Sequence, residues 1–134
     1  METKYAFLVI DDNQIDQLIT KQLFKKILDV SEINIANNGK EGIKWVCDNR
    51  KKINESLIII LDIQMPIMNG YQFLFEYEKL EMELKRETQI FMLSSSLDMD
   101  EIRYLKSNAH VTDFLSKPIC VQEFGKRIYS DFLG

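Results

Sequence analysis

The chain has 134 residues, the length of one ordinary domain, and its 46% hydrophobic and 28% charged residues are typical of a globular protein. Seventeen Lys and Arg against 21 Asp and Glu give a formal net charge of −4, so no basic surface for nucleic acid is expected. No segment approaches the roughly 20 apolar residues of a membrane span. The sequence opens without a signal-peptide pattern, and Cys47 and Cys120 lack a metal-binding spacing, which predicts reduced thiols in a cytoplasmic protein.

The first half of the chain alternates apolar runs with amphipathic segments. Tyr5–Ile10 is an apolar run that predicts a strand ending at Asp11 and Asp12. Apolar residues then recur mostly at steps of three and four, which predicts a helix carrying Ile15, Leu18, Ile19, Leu23 and Ile27. Glu32–Ala36 alternates like a half-buried strand, and 37–39 (Asn-Asn-Gly) is typical of a turn before a second helix.

The second half continues the same alternation. Leu57–Leu61 is a continuous aliphatic run, as expected for a central parallel strand covered on both faces. The remaining predicted elements are a third helix from Tyr71 to about Leu84, a strand at Ile90–Leu93, a fourth helix at Met99–Lys106, a fifth strand at Phe114 and Leu115, and a last helix at Val121–Phe132. This order predicts an α/β fold of the flavodoxin-like, doubly wound kind, with a five-stranded parallel sheet and five helices in a single domain over residues 1–134.

Acidic residues stand at the ends of two strands that this fold makes neighbours. Asp11 and Asp12 end the first strand and Asp62 ends the third, and ligands of such folds bind beyond the carboxyl ends of the central strands. Each acid alone could cap the following helix, but three on one rim favour a shared site. Crowded carboxylates repel one another unless a cation compensates, and an all-oxygen anionic site suits Mg²⁺.

A hydroxyl and a lysine end the two remaining strands on this side of the sheet. The fourth strand runs into Ser94-Ser95-Ser96, and the fifth is followed by Lys117-Pro118. Either feature alone would be read as a loop or a solvated charge. Together with the acids, a hydroxyl donor and an ammonium group could hold a phosphoryl group.

These motifs resemble the receiver domain of bacterial response regulators. The resemblance rests on Asp11-Asp12, the run DIQMPIMNG from Asp62 to Gly70, Ser94 at a strand end, and Phe114 with Lys117-Pro118. It covers essentially the whole chain in the expected order. The family implies that Asp62 accepts a phosphoryl group from a phosphohistidine on a histidine kinase or histidine phosphotransfer protein.

The resemblance also implies roles for the other residues. Asp11, Asp12 and Asp62 would hold Mg²⁺ together with the backbone carbonyl of Gln64, and Lys117 would contact the phosphoryl oxygens. Ser94 would turn towards the phosphoryl group and Phe114 would follow it inward. Ser95 stays open as the switch hydroxyl, because the turn at 108–112 lacks a glycine often found there and is slightly longer, so counting back from Lys117 is unsafe by one residue.

Other functions fit less well. A P-loop NTPase needs GxxxxGK[ST], which no glycine here provides. A flavin carrier needs a phosphate-cradling loop where this chain has Asp11 and Asp12. The alternative that stays open is a degenerate receiver that acts as a phosphorylation-independent interaction module, although the complete set of acids, hydroxyl and lysine argues against it.

The resemblance leads to expectations about partners and output. With 16 residues after Pro118 (134 − 118), we expect a stand-alone receiver without an effector domain. The first helix around Gln14, Ile15 and Leu18 is the expected docking face for a histidine-bearing helical partner. We expect no binding to nucleic acid or membrane, a monomer or weak dimer, and no enzymatic activity beyond the receiver's own phosphotransfer and autodephosphorylation.

Overall fold

The computed structural model describes residues 5–30, 32–95 and 98–128, and within them one parallel sheet carries helices on both faces. The strands are β1 (Tyr5–Ile10), β2 (Ile33–Ala36), β3 (Ser56–Asp62), β4 (Thr88–Ser94) and β5 (Val111–Ser116). The helices are α1 (Gln14–Leu28), α2 (Gly39–Asn49), α3 (Gly70–Glu78), α4 (Met82–Lys85), α5 (Met99–Lys106) and α6 (Val121–Ile128), and a short 3₁₀ helix covers Arg50–Lys52. The strand order is β2-β1-β3-β4-β5, which confirms the predicted doubly wound flavodoxin-like fold.

The aliphatic run of β3 forms the middle of the core. Ile59 and Leu61 pack into the apolar cluster on the α2, α3 and α5 face, whereas Ile58 and Ile60 pack into the cluster on the α1 and α6 face. All four side chains are fully buried. Because successive side chains of a strand point to opposite faces, a strand covered on both faces needs apolar residues at every position. The run thereby holds the backbone of the next residue, Asp62, in a fixed place.

The predicted third helix is shorter than expected, so the described residues contain six α-helices instead of five. Helix α3 ends at Glu78, where the N–H groups of Lys79 and Leu80 turn back to the carbonyls of Glu76 and Tyr77. A separate one-turn helix, α4, then buries Leu84 in the core. The apolar spacing of this segment fits one long helix equally well, because the break keeps the buried positions on the core side.

The other strands and helices have bounds close to those predicted from the sequence. Strand β5 begins at Val111, three residues before the predicted strand, and a bulge at Thr112 of β5, opposite Ile90 and Phe91, shifts the register with β4. At this bulge the Thr112 hydroxyl accepts a hydrogen bond from the Ile90 N–H at 3.2 Å. The end of the predicted last helix, up to Phe132, lies outside the described residues. Within the described ranges, no helix has both the length and the apolar character that crossing a bilayer requires.

Candidate functional site

The three predicted acids meet at the carboxyl ends of β1 and β3. These strands are direct neighbours, with Ile10 paired to Leu61, so the following residues Asp11 and Asp62 lie side by side. One carboxylate oxygen from each of Asp11, Asp12 and Asp62 lies within 4.8 Å of those of the other two. Asp11 and Asp62 are 1% and 6% exposed, whereas Asp12 is open to solvent. The rim therefore concentrates negative charge partly shielded from water.

The hydrogen bonding of Asp11 fits a cation at this position. Its Oδ1 accepts the Asn13 N–H at 2.9 Å, whereas its Oδ2 is buried and has no hydrogen-bond partner among the described residues. A buried carboxylate oxygen without a partner is costly unless a positive charge lies near it. Carboxylate oxygens are hard ligands, so the donor set of Asp11, Asp12 and Asp62 fits Mg²⁺.

Lys117 extends from the end of β5 towards the acids. Its Nζ lies 3.1 Å from Asp62 Oδ2 and 3.5 Å from Asp11 Oδ2. Its backbone N–H donates a 2.9 Å hydrogen bond to the carbonyl of Ser94, which ties the end of β5 to the end of β4. The Lys117–Pro118 peptide bond is cis. The lysine predicted from the sequence is thus in contact with the predicted acceptor.

Burial and charge shift the pKa values of this pair. Burial raises the pKa of the Asp62 carboxyl above its ordinary value of 3.8, although the hydrogen bond and charge of Lys117 act in the opposite direction. Burial also lowers the pKa of the Lys117 ammonium, but its interactions with Asp62, Asp11 and Asp16 outweigh burial and raise that pKa overall. Lys117 therefore stays charged. The ionised carboxylate of Asp62 is less favourable than in water, because burial removes part of its hydration.

The loop after Asp62 is held by close backbone contacts. The Gln64 N–H lies 3.4 Å from Asp62 Oδ1, and the Gly70 N–H donates to the Ile63 carbonyl at 2.8 Å. A Cβ at position 70 would lie 2.9 Å from the Asp62 carbonyl oxygen, so only glycine fits there. Ile67 has a φ of 68°, a left-handed conformation that is rare for a β-branched residue. The loop thus takes a specific, partly strained shape beside the acids.

The structure distinguishes the two serines that the sequence left open. Ser94 is the last residue of β4, is buried, and pairs with Ser116 in β5. Ser95 lies beyond the strand and is exposed. Phe114 lies opposite Met92, is half-buried, and packs against the cluster on the α5 face. Ser94 therefore has the position expected for the hydroxyl at the rim, and Phe114 packs on the sheet face that α2, α3 and α5 cover.

The predicted docking residues are on the surface of α1. Ile15 is 69% exposed and Leu18 is 56% exposed, and Gln14 is also open to solvent. The Asn13 side chain caps this helix by accepting hydrogen bonds from the Ile15 and Asp16 N–H groups. Helix α1 therefore begins directly at the acidic rim and presents apolar side chains beside it.

One residue of the site was not predicted. Asp16, in the first turn of α1, places its Oδ2 3.2 Å from the Lys117 Nζ. The sequence carried a signal for it, because an acid in the first turn of a helix that starts at the rim must lie near the rim. An acid in this position is usually attributed to stabilisation of the helix N-terminus, so the sequence provided no separate reason to assign Asp16 to the site.

Comparison with known proteins agrees with this geometry. A family model described as the response regulator receiver domain matches residues 7–129. The chain belongs to this family. The receiver is similar to the sensor histidine kinase CheAY of Helicobacter pylori, with 32% identity over 85% of this chain and 13% of that protein. It spans 3% to 46% of the length of several curated relatives, so the activities of those whole proteins do not transfer to it directly.

Solved structures show the same fold. A response regulator receiver protein from Dyadobacter fermentans superposes with a TM-score of 0.81 and 26% identity, covering 92% of this chain and 97% of that one. The receiver domain of the histidine kinase CKI1 from Arabidopsis thaliana, solved in complex with Mg²⁺, gives a TM-score of 0.77 and 26% identity over 91% and 89% of the two chains.

The raised pKa of Asp62 predicts how pH affects stability without metal. A carboxyl whose pKa is raised by folding binds more protons in the folded state, so stability falls as pH rises above 3.8 through the raised pKa. We expect Asp62→Asn, in a chelator near neutral pH, to raise the melting temperature by a few degrees. The gain should shrink as the pH falls towards 3.8. Thermal unfolding measured by circular dichroism checks this.

Asp48→Asn is the matched control, because Asp48 is an exposed acid of α2 that pairs with Lys44. It removes the same charge and should give no such gain. If Asp62→Asn instead melts lower than the wild type throughout the pH range, the hydrogen bond from Lys117 outweighs the cost of burying the charge.

Proposed function

We propose that this receiver accepts a phosphoryl group on Asp62 from a phosphohistidine of a histidine kinase or histidine phosphotransfer protein. The observation that carries the proposal is the position of Asp62: it ends the central strand beside Asp11 and 3.1 Å from Lys117. Histidine kinases among the similar proteins support the same class of partner. We further propose a cytoplasmic protein that promotes only its own phosphotransfer and autodephosphorylation.

The side chains have distinct parts in the transfer. A carboxylate oxygen of Asp62 forms a bond to phosphorus while the P–N bond to the donor histidine breaks, and the imidazole leaves with the electron pair. The ammonium of Lys117 donates hydrogen bonds to the phosphoryl oxygens and offsets their charge. Asp11, Asp12, Asp62 and the backbone carbonyl of Gln64 would hold Mg²⁺, which when bound neutralises negative charge on the transferred group.

A phosphorylation-independent interaction module is the second candidate function. Such a module would need no buried charge at the rim. An apolar or neutral side chain in place of Asp11 would then cost less free energy to bury. The buried carboxylates of Asp11 and Asp62, together with the ion pairs to Lys117, favour the phosphoacceptor.

The central prediction is a covalent modification of one residue. Incubated with Mg²⁺ and acetyl phosphate, the wild type should gain the mass of one phosphoryl group, and Asp62→Asn should gain none. Intact-mass spectrometry under acidic quench measures both. Asp48→Asn should behave like the wild type, because Asp48 lies on the exposed side of α2. A wild type without mass gain, or a gain that survives in Asp62→Asn, contradicts the proposal.

The apolar surface of α1 is proposed to receive the histidine-bearing helix. Ile15 and Leu18 are exposed, and the helix that carries them starts at the rim, so a partner seated there would bring its histidine near Asp62. We expect Ile15→Asp to slow transfer from the phosphorylated partner about tenfold or more, because a charge must be desolvated in an apolar contact. Phosphorylation by acetyl phosphate should be unchanged.

Met82→Asp is the control for that experiment, since Met82 is 81% exposed on α4. It should leave transfer from the partner intact. Equal losses with both phosphodonors in Ile15→Asp would point to a damaged site, and full retention of partner transfer would exclude α1 as the docking face.

Phosphorylation is further proposed to move Ser94 and Phe114. An Asp62 phosphate adds strong acceptor oxygens at the rim, and a hydrogen bond from the Ser94 hydroxyl would draw the end of β4 inward. Phe114, which is half-buried against the apolar cluster on this face of the sheet, would follow and reshape the surface of α5, β5 and α6. Nearly complete reversal of such a switch requires about 5.5 kcal/mol of differential binding.

Ser94→Ala separates phosphorylation from the switch. The variant should still be modified on Asp62, but beryllofluoride, a phosphoryl mimic, should no longer shift the NMR signals around Phe114. Ser95→Ala, which changes the exposed neighbouring hydroxyl, should respond like the wild type. Wild-type shifts in Ser94→Ala would rule out Ser94 as the switch hydroxyl, and their loss in Ser95→Ala would assign the role to Ser95.

A further inference from the structure

Asp16 holds the lysine of the site from a different part of the fold. Lys117 Nζ lies 3.2 Å from Asp16 Oδ2 on α1 and 3.1 Å from Asp62 Oδ2 on β3, and it donates a hydrogen bond to each. Asp11 Oδ2 follows at 3.5 Å. The ammonium therefore sits among three carboxylates, of which Asp16 alone comes from a helix.

The hydrogen-bonding capacity of this ammonium is limited. A lysine ammonium has three N–H donors, and here two of them form hydrogen bonds to Asp16 and Asp62, while Asp11 Oδ2 lies 3.5 Å away without a hydrogen bond. Lys117 can donate two hydrogen bonds to phosphoryl oxygens only if one of these two hydrogen bonds is released. Asp11 and Asp62 are buried, whereas the Asp16 side chain is 39% exposed and can be rehydrated at little cost.

We propose that Asp16 is a positioning residue that holds Lys117 in the resting site and competes with the incoming phosphoryl group for its ammonium. This inference rests on the proposed phosphoacceptor function of Asp62. Asp16 would keep the lysine near Asp62 and slow phosphorylation in two ways: it occupies a donor, and its charge repels the anionic phosphodonor. Its release then frees a second donor of Lys117 for the phosphoryl oxygens.

A purely structural role makes a different prediction. An acid in the first turn of a helix stabilises the N-terminus through the helix dipole, and Asp16 occupies such a position. If that were its whole role, Asp16→Asn would lower the melting temperature without accelerating phosphorylation. The rate of modification therefore separates the two roles.

The test compares second-order rate constants for phosphorylation by acetyl phosphate with Mg²⁺. We expect Asp16→Asn to react about three- to tenfold faster than the wild type, the size of effect that loss of one nearby, partly exposed charge produces. Asp16→Glu, which keeps the charge, should stay within about twofold of the wild type. The acceleration should decrease in about 0.5 M salt, because screening weakens exposed charges. Asp48→Asn, an exposed acid paired with Lys44, should leave the rate unchanged.

The outcomes are distinguishable from failure of the proposed function. A phosphorylated wild type with Asp16→Asn equally fast or slower overturns the role of Asp16 and leaves the phosphoacceptor standing. Equal acceleration by Asp48→Asn would show an effect of net charge and would also overturn it. A wild type that gains no phosphoryl group overturns both proposals.

Discussion

The ion pair between Lys117 and Asp62 is the interaction on which the rim depends. Asp62 ends a strand whose residues Leu57–Leu61 are fully buried, and its own side chain is only 8% exposed. Burial of a charge is expensive, and the expense is reflected in the raised pKa of this carboxyl. Lys117 offsets part of it at 3.1 Å, and its backbone N–H fixes the lysine to Ser94 at the end of β4. The negative charge of Asp62 at the end of β3 is thus compensated by Lys117 at the end of β5, although β4 lies between these two strands.

The order of the strands makes this compensation possible. With β3 between β1 and β4, the carboxyl ends of the central strands bring Asp11, Asp62 and Ser94 to one edge although they are far apart in sequence. Residues on strands of a packed sheet have little freedom, so the positions of these groups follow from the core beneath them. The apolar run of β3 is therefore as much a part of the site as the acid that follows it.

Much of this arrangement could be predicted from the sequence, because strand ends are marked by a change from apolar to polar residues. That pattern located Asp11, Asp62 and Lys117 correctly at one rim. It favoured Ser94 but left Ser95 open, because counting back from Lys117 was unsafe by one residue. The bulge at Thr112 adds a residue to β5 there, and such a bulge depends on strand pairing that the sequence does not show.

Features that depend on tertiary contacts were missed for related reasons. The end of α3 at Glu78 is hidden because the helical spacing of apolar residues continues beyond it. Arg50 was not singled out, yet it is fully buried, and its guanidinium donates to the carbonyls of Ile53 and Arg86 at 3.2 and 2.7 Å. Arg86 comes from a distant segment, and a charged residue in a polar stretch gives no sign of such a partner. Asp16 was missed likewise, since its partner is 101 residues away.

Burial of the acids also explains how the rim can respond to a ligand. Whatever binds the folded state alone stabilises it by mass action, and the gain is largest where the free site is electrostatically unfavourable. At this rim the unfavourable part is fixed, since Asp11 and Asp62 are buried at the ends of strands and cannot move apart. The adjustable part is more accessible, since Asp12 is open to solvent and the Asp16 side chain, 39% exposed, can exchange its contact with Lys117 for water. A cation would therefore relieve the repulsion between Asp11 and Asp62, while Asp12 and Asp16 rearrange around it. A rim in which every acid was already well paired would be more stable in the free protein. It would gain less free energy from a bound cation and would therefore bind that cation more weakly.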